Sequence, residues 1–199
     1  MTRLVVALLA IALVAAPAAA QEREHGFADL YGGVAGLLES DVRAWDFADA
    51  STTVGGRLGV WLGERWGLAF RTWYFQTDAK ERVGASPSDL AFLGLALELF
   101  ARWPLDERWT LYGALGPAVA VTTLDRSRRV DGAIVEEDAR GVGPGGSGSV
   151  GIQARVAGPF SAFAELQTTL VYPELSFQGQ TITPRLLTVH GLMGVRVRF

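Results

Sequence analysis

The stretch Leu186–Phe199 constrains this chain more than any other. It reads Leu-Leu-Thr-Val-His-Gly-Leu-Met-Gly-Val-Arg-Val-Arg-Phe. Counting back by twos from the end gives Phe199, Val197, Val195, Met193, Gly191, Val189 and Leu187, all apolar or glycine. The alternate set, Arg198, Arg196, Gly194, Leu192, His190 and Thr188, carries the charge. Successive side chains of a strand point to opposite faces, so a period of two predicts a β-strand with one wholly apolar face. Such a strand, closing on an aromatic residue, is unusual in a soluble protein.

The other end of the chain carries an export signal. Arg3 makes a basic start, Leu4 to Ala15 is an apolar run, and Pro17-Ala18-Ala19-Ala20 supplies small residues before Gln21. That pattern predicts a secretory signal peptide over residues 1–20, cleaved after Ala20. A retained anchor is the alternative, but the apolar run falls short of the ~20 residues of a spanning helix. No later segment is an uninterrupted apolar run of that length, yet the chain is 49% hydrophobic and rich in glycine. An exported, apolar chain without a second spanning helix can live in a bilayer as a closed barrel, which satisfies every backbone hydrogen bond and leaves no edge. The chain has no Cys, which removes disulfide frameworks and thiolate metal sites. Its formal charge of -3 gives no reason to expect a nucleic-acid partner.

Eight strand candidates follow in order. They are Phe27–Leu38, Thr52–Leu62, Trp66–Phe75, Leu90–Trp103, Trp109–Val121, Gly143–Val156, Phe160–Tyr172 and Leu186–Phe199. The first has an ambiguous phase, because small residues occupy both faces. The fourth could be a helix by intrinsic preference, but its strict alternation and the stop at Pro104 favour a strand. Polar loops are expected at Glu39–Ser51, Gln76–Ser88, Thr122–Val142 and Pro173–Thr183, with short turns between. Long and short connections alternate, as they do in barrels with short periplasmic turns and longer outside loops. With the turns in the periplasm, Trp66, Trp103, Trp109, Phe160 and Phe199 fall at the periplasmic rim, and Tyr74 and Tyr172 at the outer rim. Two aromatic girdles result, as expected where amphipathic rings meet headgroups. A lipocalin-like soluble barrel would need its apolar face inward, whereas here the charges sit on the face opposite the continuous apolar one.

The strand Trp109–Val121, the run Ala162-Phe163-Ala164-Glu165-Leu166 and the terminal Phe199 together resemble the small eight-stranded bacterial outer-membrane barrels. That group includes the membrane domain of outer-membrane protein A. The resemblance covers nearly everything after residue 26. It implies an all-β fold: an eight-stranded, antiparallel, up-and-down transmembrane barrel over residues 21–199, behind a cleaved signal peptide. No peptidoglycan-binding domain is expected after Phe199. The resemblance also implies partners: outer-membrane lipid and lipopolysaccharide, and the barrel-assembly machinery through the Phe199 strand.

The chemistry is expected inside the barrel. Arg57, Arg71, Glu98, Arg102, Arg155, Glu165, Arg196 and Arg198 take the inward face, because Arg or Lys facing mid-depth lipid costs roughly 2–4 kcal/mol. An eight-stranded barrel is about wide enough inside for side chains to fill it. The Gly63–Arg65 turn places Arg57 opposite Arg71, a like-charge pair that needs a counter-ion. Glu98 and Glu165 are taken as the only inward carboxylates, and one or both are expected to bridge those arginines. In related barrels such a cluster blocks or gates the lumen; the bland alternative is simple neutralisation. Arg102, Arg155, Arg196 and Arg198 are expected to cluster at the periplasmic mouth, as an anion-attracting vestibule or as solvated rim charge.

Three features suggest other chemistry and are set aside. His190 could serve a lipid-modifying barrel enzyme, but a base must reach a nucleophile and be oriented by a third group. No serine sits at a matching position on its strand, and Thr169 and Thr188 are poor substitutes. Gly141–Gly146 fits G-x-G-x-x-G, but a dinucleotide site needs a helix after it. Glu136-Glu137-Asp138 lacks calcium-loop spacing. No catalytic residue, cofactor or metal is therefore expected. The reading is an outer-membrane barrel with a structural or loop-display role. A narrow or gated pore for small, anionic solutes is the alternative. Adhesion through the Thr122–Val142 loop and lipid modification stand behind it.

Overall fold

Alternation extends through most of the chain, so the backbone pairs strand to strand until it closes on itself. The computed structural model describes residues 25–40, 51–79, 88–130, 133–177 and 180–199. The expected signal peptide and most of the Glu39–Ser51 and Gln76–Ser88 loops lie outside those residues. Among the described residues ten strands form: β1 (Gly26–Ser40), β2 (Ser51–Trp61), β3 (Trp66–Ala79), β4 (Ser88–Pro104), β5 (Trp109–Val130), β6 (Ala133–Ala157), β7 (Phe160–Val171), β8 (Leu175–Phe177), β9 (Gln180–Ile182) and β10 (Leu186–Arg198). Eight of them make one closed antiparallel barrel in the order β1-β10-β7-β6-β5-β4-β3-β2. β8 and β9 form a separate two-stranded hairpin. The terminal strand closes the barrel against β1, and Phe199 exchanges backbone bonds of 2.7 and 3.0 Å with Gly26.

The pairings define one row around the wall. From Val171 it passes through Gly145, Ala118, Ala96, Arg71, Arg57, Asp29 and Arg196, and returns to β7 at Ser161. The row therefore comes back ten residues lower on its own strand, the stagger that closure of tilted strands demands. It also places Arg71, Arg57, Asp29 and Arg196 on four successive strands.

The two faces separate by chemistry. Leu30, Leu58, Phe70, Leu97, Leu115, Leu166 and Met193 point outward and are exposed. Arg57, Arg71, Glu98, Glu165, Gln167 and His190 point inward and are buried. A soluble barrel would reverse this arrangement. Aromatic rings fill the lumen between the polar groups: Phe27 against Trp61 at 5.1 Å, Phe100 stacked on Tyr112 at 5.1 Å, and Phe75 stacked on Phe92 at 5.0 Å. Several inward glycines serve this packing. A Cβ on Gly94 would collide with the Trp73 indole, and one on Gly59 with the Phe27 ring.

Two expected loops contain paired strand among the described residues. Thr122–Val142 is the upper part of a long hairpin, paired from Thr122–Gly141 to Val130–Ala133. Pro173–Thr183 contains β8 and β9, paired from Leu175–Ile182 to Phe177–Gln180. In Thr122–Val142 the density of charge suggests solvated loop. Backbone pairing continues beyond the apolar belt because strand bonds do not require lipid around them. Gly141–Gly146 lies within β6, flanked by β5 and β7 and with no helix after it.

Candidate functional site: a closed polar lumen

At mid-depth the lumen holds a charged cluster. β2 supplies Arg57, β3 Arg71, β4 Glu98 and β7 Glu165, and all four are buried. Arg57 Nη2 donates to both Glu165 oxygens at 2.9 and 2.6 Å. Arg71 Nη2 donates to Glu165 Oε1, and Arg71 Nε to the Glu98 carboxylate at 3.1 Å. Arg57 Nε lies 3.4 Å from Glu98 Oε2. Ser147 donates to Glu98 at 3.3 Å, and Arg71 donates to Ser149 at 3.3 Å. Both carboxylates thus bridge both arginines. β3 and β7 are four strands apart in either direction around the barrel, so Arg71–Glu165 crosses the full bore.

Two expectations need correction here. Glu98 and Glu165 are not the only inward carboxylates, because Asp29 on β1 is buried in the lumen as well. Arg196 does not lie at the mouth: it is buried beside Asp29, with Nε–Oδ1 and Nη2–Oδ2 both at 2.7 Å, and donates to Gln153 at 2.8 Å. Burial of a guanidinium demands a partner, and Asp29, its cross-strand neighbour, supplies one. Asp29 Oδ2 is also 3.3 Å from Arg57 Nη1. Among the described residues, the buried lumen charges are therefore Arg57, Arg71 and Arg196 against Asp29, Glu98 and Glu165.

The remaining arginines stay at the inner rim beside the short turns. Arg102 Nε donates to the Glu64 carbonyl at 2.7 Å, with its guanidinium 3.9 Å over the Trp61 ring. Arg155 and Arg198 both donate to the Gly158 carbonyl at 3.5 Å. On the outer surface, Trp66, Trp103, Trp109, Phe160 and Phe199 are exposed at the same end. Tyr74 and Tyr172 lie toward the opposite end of β3 and just past β7.

His190 is buried in the outer half of the lumen. Its Nε2 lies 3.0 Å from Thr188 Oγ1, and its ring meets Phe75 edge-on at 5.3 Å. Thr188 in turn donates to the Thr169 carbonyl at 3.5 Å. These contacts pack the imidazole between aromatic rings and hydroxyls. His25 is exposed ahead of β1.

A closed eight-stranded barrel with an apolar exterior and a charged interior defines an integral outer-membrane β-barrel protein. The family model of the outer membrane protein beta-barrel domain matches residues 6–189, and the chain belongs to that family. No curated protein sequence matches it. Among solved structures it resembles Neisserial surface protein A, with TM-score 0.56 and 13% identity over 87% of this chain and 97% of that one. It also resembles the outer membrane protein OprG of Pseudomonas aeruginosa, with TM-score 0.55 and 16% identity over 90% and 98%. A major outer membrane protein of Thermus thermophilus gives TM-score 0.56 and 11% identity over 87% and 99%. At these identities the likeness concerns the fold alone. The protein resides in the outer membrane.

Proposed function

We propose that this protein is a closed structural barrel that displays its outer loops and the long β5–β6 hairpin, and that it does not act as an open pore. The observation that carries this reading is the Arg71–Glu165 contact across the full bore, flanked by Arg57 and Glu98 and by aromatic layers on either side. Ions would have to break several buried charge contacts at once, and removing one partner of such a pair typically costs about 3–5 kcal/mol. The burial of His190 among rings supports a non-catalytic role. Outer-membrane lipid and lipopolysaccharide suit the apolar exterior, and the strand ending at Phe199 suits recognition by the barrel-assembly machinery. Conductance in planar lipid bilayers tests the reading. Silence across a wide voltage range is expected, and steady unit conductance of the native barrel would overturn it in favour of a pore.

A further inference from the structure

The half of the lumen away from the short turns holds a titratable group outside the charged cluster. His190 on β10 is buried, and its ring meets Phe75 at 5.3 Å and Trp73 at 6.5 Å, both edge-on. Those rings belong to β3, three strands away by way of β1 and β2, so the imidazole joins two walls across the bore. Phe92 of β4 backs Phe75 at 5.0 Å. Gln167 of β7 and Ala35 of β1 are the cross-strand partners of His190. Of its two nitrogens, Nε2 meets the Thr188 hydroxyl at 3.0 Å and Nδ1 has no hydrogen-bond partner. A neutral imidazole carries one N–H and an imidazolium carries two. A second proton therefore makes a buried cation with one of its donors unanswered.

The inward charges on the strands packed against it are committed elsewhere. Arg71 of β3, Glu98 of β4, Glu165 of β7, Asp29 of β1 and Arg196 of β10 are tied to one another and to Arg57. Arg102 of β4 and Arg198 of β10 lie at the short-turn end, and Tyr31 of β1 donates to the Thr72 carbonyl at 2.8 Å. One neutral acceptor does stand on the facing strand. Gln167 Oε1 is buried and unpartnered, while its Nε2 donates to Ser147 and Thr169 at 3.3 Å each. Because Oε1 and Nδ1 both lack partners, they do not bond each other in this closed form.

We propose that His190 is an acid-sensitive latch across this half of the lumen. Neutral, it packs β10 against the Phe75 and Trp73 rings of β3. Protonated, it satisfies Nδ1 by taking Gln167 Oε1 or water, because an unanswered buried charge is costly. Either acceptor changes the packing of the ring against β3. The latch does not depend on whether the barrel conducts.

The test places the mature barrel in zwitterionic nanodiscs and follows the Trp73 indole N–H and the Gln167 side-chain amide by NMR, assigned with Trp73→Phe and Gln167→Leu. The pH is lowered from about 7.5 to about 3.5, a range that spans the ordinary titration of histidine and of carboxylates. Reversible shifts of both signals along one titration curve are expected, and both are expected to vanish in His190→Gln. Should that variant fail to fold, His190→Phe, which keeps a ring against Phe75 and carries no ionisable group, makes the same comparison. A curve that survives in the folded variant would assign the response to a carboxylate of the mid-depth cluster and overturn the proposal. Signals that stay fixed until the native barrel unfolds would overturn it as well.

Discussion

Asp29 grips Arg196 through two parallel bonds of 2.7 Å each, buried in the half of the lumen nearer the short turns. Rings close around the guanidinium, with Phe27 at 4.3 Å, Phe100 at 4.8 Å and Tyr112 at 5.0 Å. The same carboxylate reaches Arg57 at 3.3 Å. One residue of β1 thus joins the aromatic cage to the mid-depth cluster and helps tie the first strand to the last.

Asp29→Ala should therefore destabilise the barrel strongly, by about 3–5 kcal/mol, because it strands a buried cation among rings. Urea unfolding in micelles measures the loss. Asp29→Ala/Arg196→Met should recover part of it, since the unpaired charge is gone. A single-variant loss below about 1 kcal/mol would mean that water screens the pair as it does on a surface.

The two mid-depth carboxylates should not be equivalent. Glu165 is bound by both arginines through Nη2 atoms, at 2.6 Å from Arg57 and closely by Arg71. Glu98 has Arg71 at 3.1 Å, Arg57 only at 3.4 Å, and the Ser147 hydroxyl. Glu165→Gln is expected to lower the temperature at which the folded band disappears on a gel by more than Glu98→Gln does. Equal shifts for the two variants would contradict this ranking.

The strands were legible because lipid outside and charge inside enforce alternation along nearly the whole chain. Arg57 and Arg71 could be placed opposite each other from the Gly63–Arg65 turn alone, and they pair so. Asp29 was missed because Gly32, Gly33 and Ala35 blur the phase of β1. The usable signal was Asp29 itself: a charge between Ala28 and Leu30 can avoid lipid only by pointing inward. The β5–β6 extension was missed because its charges read as loop. Asp131-Gly132 between Val130 and Ala133 is a dipeptide that favours tight hairpins, and was the available sign of a continuous ribbon. The depth of Arg196 could not be read from its distance to the chain end, because the stagger of the closed wall sets which partners meet.

The outer extension carries a row of like charges. Asp89 pairs with Asp125, and Asp125 with Asp138, on three neighbouring strands. Like charges directly opposite across a pair are destabilising, on a scale of roughly 0.2–1 kcal/mol. Asp125→Asn should stabilise the upper hairpin, seen as slower amide exchange in β5 and β6 above Thr122. The gain should shrink in high salt, because screening weakens the repulsion that the substitution removes. Faster exchange in the variant would show that Asp125 is engaged favourably.

Leu115 offers a direct test of which face meets lipid. It sits midway along the membrane part of β5 and is 71% exposed. In a water-soluble barrel, substitution at so exposed a site would change stability by no more than about 0.5 kcal/mol. In an outer-membrane barrel the same side chain faces hydrocarbon, and Arg there costs about 2–4 kcal/mol. Leu115→Arg should accordingly weaken the barrel in lipid vesicles by that amount. Val142→Arg, also outward and exposed but on the extension of β6, should be nearly neutral because its surroundings are closer to water. Equal effects at the two sites would mean that the exterior does not divide into lipid-facing and solvent-facing bands, and the membrane depth assigned to Leu115 would have to be abandoned.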